Sequence, residues 1–312
     1  MTHVSHERSP NTSGPPLFER QRHLLALLDA VGGEAGNLDF QKLLFLYCQE
    51  PGSADIYEFV PYKFGAFSFT SYADRRKLID RGFLADDEGH WRLTDQGKKA
   101  VRGSLGRQMT AFARRHQALR GDALVAETYR RFPYYATRSE IAARILRGDA
   151  ESLAMVERAG SNRADAPTLS TIGYEGRTLE SYLNVLLRTG VTLLCDVRRN
   201  SISRKYGFSK STLSRGCEGV GIRYEHLPEL GIASEQRQAL VAQADYDALF
   251  ERYTRVDLPR QGQALAKIKT WAHSGQRVAL TCYEKLPEQC HRRCVAAALE
   301  CRYGASFASK HL

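Results

Sequence analysis

Apolar residues recur with a helical period over RQRHLLALLDAV, from Arg20 to Val31, and the pattern stops at Gly32-Gly33. A second helix is predicted with Phe40, Leu43, Leu44 and Tyr47 as its apolar positions and Asn37 or Asp39 as its cap. The aromatic run YEFVPYKFGAFSF that follows fits no regular period. A third helix is expected over SFTSYADRRKLIDRGFL, with Gly82 as its stop. FLADDEGHWRLT reads as two short strands around an acidic glycine turn, and Thr94 caps a last helix, DQGKKAV.

The pattern changes at Pro167. TLSTIGYEG, VTLLCDVR, GIRYEHLP and RVALTCYE are short apolar strands separated by amphipathic helices, and ASFASKHL fits an edge strand. Strands apolar on both faces and alternating with helices predict a parallel α/β sheet. Ligands of such sheets bind beyond the carboxyl ends of the strands. Those ends carry Tyr174 and Glu175, Asp196 and Arg198, Tyr224 to His226, and Cys282 to Glu284. Asp196, Glu284 and Glu175 are therefore the candidate catalytic carboxylates.

These patterns divide the 312 residues into four segments. Residues 1–17 are polar and read as a flexible tail with no signal-peptide core. Residues 18–104 follow the order of a winged helix-turn-helix and resemble that superfamily. The third helix of such a domain enters the major groove, which here would bring in Arg75, Arg76 and Lys77. Residues 105–166 form a charged helical connector, broken at Phe132-Pro133 and ending in the linker SNRADAP. Residues 167–312 form the α/β domain. The expected fold class is thus a parallel-sheet α/β domain preceded by a winged-helix domain and a helical connector.

Charge adds a partner. The formal net charge is +10, as suits a protein that meets nucleic acid. Between the second and third strands of the α/β domain, Arg198, Arg199, Arg204, Lys205, Lys210 and Arg215 alternate with serines such as Ser201. Tyr206 and Phe208 sit among them. Cations and hydroxyls of this kind hold phosphates, and aromatics, with Tyr174, stack on bases. The expected partner is double-stranded DNA, with or without a modified base. No run is apolar and long enough to span a bilayer, and seven cysteines without a regular framework point to the cytoplasm.

The IGYEG start, the DVR-x4-SR-x2-GFSK stretch from Asp196 to Lys210 and the CYE-x5-CHR stretch from Cys282 to Arg292 resemble the DUF488 family. One departure is Asn200, where the family usually has proline. The residue types point first to a DNA glycosylase of repair or phage defence. A carboxylate, Asp196 or Glu284, would stabilise the charge that builds on the sugar, while Arg292 and the loop cations hold the backbone. One alternative is a thiol-dependent enzyme using Cys290, which has His291 and Arg292 beside it where a helix begins. Another is a winged-helix regulator whose α/β domain senses a ligand or redox state. No cofactor is expected. No metal is expected either: for a zinc set of Cys282, Cys290, His291 and Cys294, the gap from Cys282 to Cys290 is long, and adjacent Cys290 and His291 fit poorly as ligands on one helix.

Overall fold

The computed structural model describes residues 16–51, 56–103, 106–160, 167–237 and 240–312. Most of the predicted tail and of the linker, residues 1–15 and 161–166, lies outside them. Packing groups the chain into two compact units that do not follow sequence order. One comprises residues 1–37 and 74–117, the other residues 38–73 and 118–312.

The first unit contains α1 (Glu19–Ala30), β1 (Glu34–Gly36), β4 (His90–Arg92), α4 (Asp95–Ala100) and α5 (Arg107–Arg115). Thr94 caps α4 by accepting a hydrogen bond from the Gly97 amide at 3.1 Å. The expected hairpin forms differently. Leu84 and Leu93 make a single bridge, and β4 instead pairs antiparallel with β1. The Asp87 carboxylate accepts from the amides of Gly89 and His90, which folds the acidic turn onto itself. The Arg75 guanidinium donates to the Asp87 and His90 carbonyls and lies 5.3 Å from the buried Trp91 ring.

α2 (Asn37–Cys48) begins where the second unit begins, and α3 (Phe69–Asp80) crosses from one unit to the other after Ala73. Every residue of α2 from Phe40 to Tyr47 is buried, so the helix is enclosed on all sides instead of showing one apolar stripe. The aromatic run contains a hairpin, β2 (Val60–Tyr62) and β3 (Gly65–Phe67). Gly65 is required there. Its φ is +88°, and a Cβ would meet the Tyr129 ring at 2.5 Å. Tyr129 belongs to α6 (Gly121–Arg131), which packs with α7 (Ala142–Ile145) and α8 (Ala150–Gly160). The buried Glu180 carboxylate accepts from the Thr70 amide at 2.7 Å and from the hydroxyls of Ser68 and Thr70, fixing the start of α3.

The rest of this unit is a doubly wound α/β layer. Its five-stranded sheet has the order β7-β6-β8-β5-β9, with every neighbouring pair parallel. The strands are β5 (Leu169–Gly173), β6 (Leu193–Asp196), β7 (Arg223–His226), β8 (Val278–Cys282) and β9 (Ser309–His311). The pleat separates their side chains. Ile172, Leu194 and Ala279 pack under α9 (Leu179–Arg188) and α10 (Lys210–Gly219). Leu193, Cys195, Val278 and Leu280 pack under α11 (Gln243–Arg252), α12 (Gly262–His273) and α13 (Arg292–Tyr303). The helices that follow β6 and β8 thus cover opposite faces, which opens a crevice at the carboxyl ends of these central strands. Among the described residues, no helix is long and apolar enough to cross a membrane.

Candidate active site

The carboxyl ends of β6 and β8 build two polar clusters, one on each face of the sheet. Asp196 falls on the side of Leu194 and Tyr182. It has no exposed surface, and its carboxylate is fully engaged. Arg198 donates to it from Nε at 2.8 Å and from Nη2 at 2.5 Å, its own amide donates at 3.1 Å, and the Tyr224 hydroxyl donates at 2.7 Å. Arg198 also reaches the Tyr174 hydroxyl and the Phe208 carbonyl. Burial opposes the guanidinium charge, but Asp196 and Tyr174 outweigh it and raise the Arg198 pKa. Tyr174 and Phe208 are buried and stack on each other, with centroids 4.3 Å apart and planes at 7°.

The sequence places these residues at open strand ends, but Asp196 and Arg198 are buried against each other, and Tyr174 and Phe208 stack in the core. Their polar atoms satisfy one another and their rings fill the core, so they anchor the loop after β6. Arg292 is likewise held inside the fold. It is buried and spends its guanidinium on the carbonyls of Glu284 at 2.6 Å and Lys285 at 3.0 Å. Glu175 accepts from the Lys285 amide at 2.9 Å and ties the loops after β5 and β8 together. Gly173 allows their close approach, since a Cβ there would lie 1.9 Å from the Glu284 carbonyl oxygen.

The second cluster lies on the α13 face. Cys282, Cys290 and His291 are buried, and their sulfur and ring-nitrogen atoms lie within 4.8 Å of one another. His291 Nε2 donates to the Val197 carbonyl at 3.0 Å, which turns Nδ1 toward the thiols, 3.8 Å from Cys282 Sγ. Adjacent Cys290 and His291 can converge because Cys290 is extended (φ −138°, ψ 130°) ahead of α13, and His291 is the residue at which the helix starts. That geometry removes the objection drawn from placing both on one helix. Cys282 has one proton and two acceptors, Glu284 Oε2 at 3.2 Å and the Cys290 sulfur. Glu284 is also ion-paired with Arg237.

The charges make the two thiols unequal. Hydrogen bonding to Cys290 and burial push the Cys282 thiol well above its ordinary pKa. Burial alone would do the same to Cys290. Hydrogen bonds from Cys282 and His291, with the positive charges of His291 and Arg292, outweigh it and hold Cys290 well below the usual thiol range. Burial works against the imidazolium, but the Cys290 sulfur and the Val197 carbonyl keep the His291 pKa raised. Burial and the charge of Cys290 raise Glu284, against the pull of Arg237. A cavity of ≈10 Å³, lined by Arg237, Tyr246, Phe250, Glu284 and His291, adjoins the cluster and has room for about one water molecule. A larger cavity of ≈1150 Å³ between α11 and α13 is lined by none of the predicted catalytic residues.

Arg199 and Arg204 are exposed on the loop after β6 and Lys210 is exposed at the start of α10, Ser201 and Lys205 are half-buried, and Tyr206 is 48% exposed. The Tyr206 hydroxyl donates to the Phe69 carbonyl at 3.1 Å. On α3, Arg76 pairs with Asp80 at 3.1 Å and Lys77 is exposed, while Arg75 is committed to the acidic turn. Sequence reasoning missed Arg237, which comes from a polar turn with no motif, and the Val197 carbonyl, which no residue type announces.

Residues 178–299 match the family described as "Domain of unknown function DUF488". No curated protein and no solved structure matches the chain.

Proposed function

We propose that this protein is a thiol-dependent enzyme in which Cys290 is the nucleophile and His291 the acid–base partner. The carrying observation is the convergence of two thiols on one oriented imidazole at the carboxyl end of a central strand. Cys290 attacks an electrophilic carbon of the substrate, forming the sulfur–carbon bond. His291 then gives the Nδ1 proton to the departing group as its bond to carbon breaks; water next attacks that carbon, gives its proton to the neutral Nδ1 and breaks the sulfur–carbon bond, which restores the thiolate and the imidazolium. Val197 holds the ring in register for that transfer. In this reading Arg237, which lines the cavity and pairs with Glu284, receives an anionic substrate group in exchange for Glu284. Electrophile labelling with peptide mass spectrometry tests the assignment. Cys290 is expected to take the label in the folded protein, and His291→Asn to slow it by about 10²–10⁴-fold. An unreactive Cys290 rejects it.

A second reading, excision of a base from double-stranded DNA, is favoured by one observation: Arg199, Arg204 and Lys210 are exposed around the half-exposed Tyr206. With Asp196 bound inside the fold to Arg198, Glu284, once released from Arg237, and Glu175 are the carboxylates left for that reaction. The expected result is DNA binding that weakens steeply with salt. In Arg204→Ala/Lys210→Ala, the slope of log affinity against log salt is expected to fall by roughly 1 for each phosphate that the variant no longer neutralises. Salt-independent affinity rejects this reading.

A further inference from the structure

The Cys282–Cys290–His291 cluster has a second chemical use. We infer that it binds a zinc-class divalent cation, and that the bound cation silences the thiol centre. The silencing half rests on the nucleophilic role of Cys290; the binding half stands on geometry alone. Ligands at zinc–sulfur and zinc–nitrogen bond lengths sit about 3.5–3.8 Å apart around a tetrahedral ion. The three donor atoms already lie within 4.8 Å of one another, and Cys282 Sγ and His291 Nδ1 are at 3.8 Å. Side-chain rotations on the order of an ångström close the set.

Three further features fit a cation. First, His291 donates its other ring nitrogen to the Val197 carbonyl at 3.0 Å, the outer contact that orients metal-bound imidazoles. Second, the donors are two sulfurs and one nitrogen, which favours zinc over the oxygen-seeking magnesium and calcium. Two thiolates also cancel its charge, so the buried site gains no net charge. Third, the fourth position has a neighbour and free space beside it. Glu284 Oε2 lies 3.2 Å from Cys282 Sγ, and a small cavity is lined by Glu284, His291 and Arg237. A cation there holds the Cys290 lone pair that attack requires, so metal binding and catalysis exclude each other. The cluster then works as a reversible lock: loaded it is inert, stripped it is reactive.

The test uses the full-length protein, stripped with a chelator and titrated with Co²⁺, then with Zn²⁺. One equivalent of Co²⁺ is expected to bind with the charge-transfer and d–d bands of tetrahedral thiolate coordination, and Zn²⁺ to displace it. Cys290→Ser and Cys282→Ser should each weaken binding by at least about 100-fold, more than removal of an outer-sphere partner does. Since a variant can fail to fold, the wild-type protein supplies a second measurement. Zn²⁺ is expected to block alkylation of Cys290 while the exposed Cys301 still reacts, and excess chelator to restore it. Absence of bound Co²⁺ with Cys290 still alkylated overturns the inference and leaves the thiol reading standing. Bound Co²⁺ with an inert Cys290 in the stripped protein supports the metal site and overturns the thiol reading and the lock.

Discussion

Arg198→Ala is expected to destabilise the protein by about 3–5 kcal/mol, the cost of leaving one partner of a buried ion pair uncompensated. Asp196 has no exposed surface and Arg198 only 5%, so solvent screens neither charge. The variant leaves Asp196 with two hydrogen bonds, from the Tyr224 hydroxyl and the backbone amide, and no countercharge. It also frees the Tyr174 hydroxyl and the Phe208 carbonyl, which fasten the loop after β6. Arg198→Lys rescues little, because an ammonium cannot make the two-pronged contact. Urea denaturation measures the loss as a lower midpoint. Asp196→Asn/Arg198→Met should recover part of it, since the double variant buries no charge. A loss in Arg198→Ala below about 1 kcal/mol, the range of exposed pairs, would contradict the buried pairing.

Lys42→Met is expected to have the opposite effect. Lys42 is 2% exposed on a helix buried on all sides, and its amine donates only to the Ala66 carbonyl, at 2.8 Å, among the hydrogen bonds described. Burial pushes its pKa down from 10.5 to about 7. Below the folded value both states carry the proton, and the fold bears the full cost of the buried charge. Between about 7 and 10.5 the unfolded chain keeps the proton that the folded chain has released, so stability rises with pH. The slope is about 1.4 kcal/mol per pH unit, which sums to roughly 4–5 kcal/mol over that window. Methionine removes the charge and leaves the Ala66 carbonyl short of a donor, which costs about 1–3 kcal/mol. The expected net gain near neutral pH is about 1–4 kcal/mol, and it reverses toward pH 10, where the wild-type penalty disappears and the unpaired carbonyl remains. Thermal or urea unfolding across that range checks both magnitude and sign. A variant less stable than wild type at neutral pH would show that Lys42 has a counter-charge in the fold.

The middle of the sheet was legible because β5, β6 and β8 are buried along their whole length. Leu193-Leu194-Cys195 and Val278-Ala279-Leu280 leave no polar side to mistake for solvent, whereas the edge strands β7 and β9 are polar and were placed by the alternation with helices. The carboxyl ends were harder. A polar residue closing a strand reads as solvent-facing, yet Asp196, Arg198 and Tyr224 bind one another and need no water. Side-chain alternation then sends Asp196 and Glu284 to opposite faces, so strand-end acids that look convergent along the chain do not meet. Cys290 and His291 were legible as residues, and the seven-residue gap argued against their joining Cys282. Their convergence depends on one extended residue ahead of α13. At the N-terminal end, β1 is three residues long and carries no β-pattern, and its pairing with β4 replaces the expected hairpin.

Competitive alkylation of the seven cysteines tests the Cys290 centre most directly. Metal-free folded protein is treated with a small haloacetamide about two pH units below the ordinary thiol pKa, and each cysteine peptide is quantified by mass spectrometry. Cys290 is expected to be modified ahead of the exposed Cys301 although it is buried, Arg237→Ala to speed the reaction by widening the cavity, and His291→Asn to abolish the preference. Modification of Cys301 alone, with Cys290 untouched until the protein unfolds, would contradict the Cys290 centre.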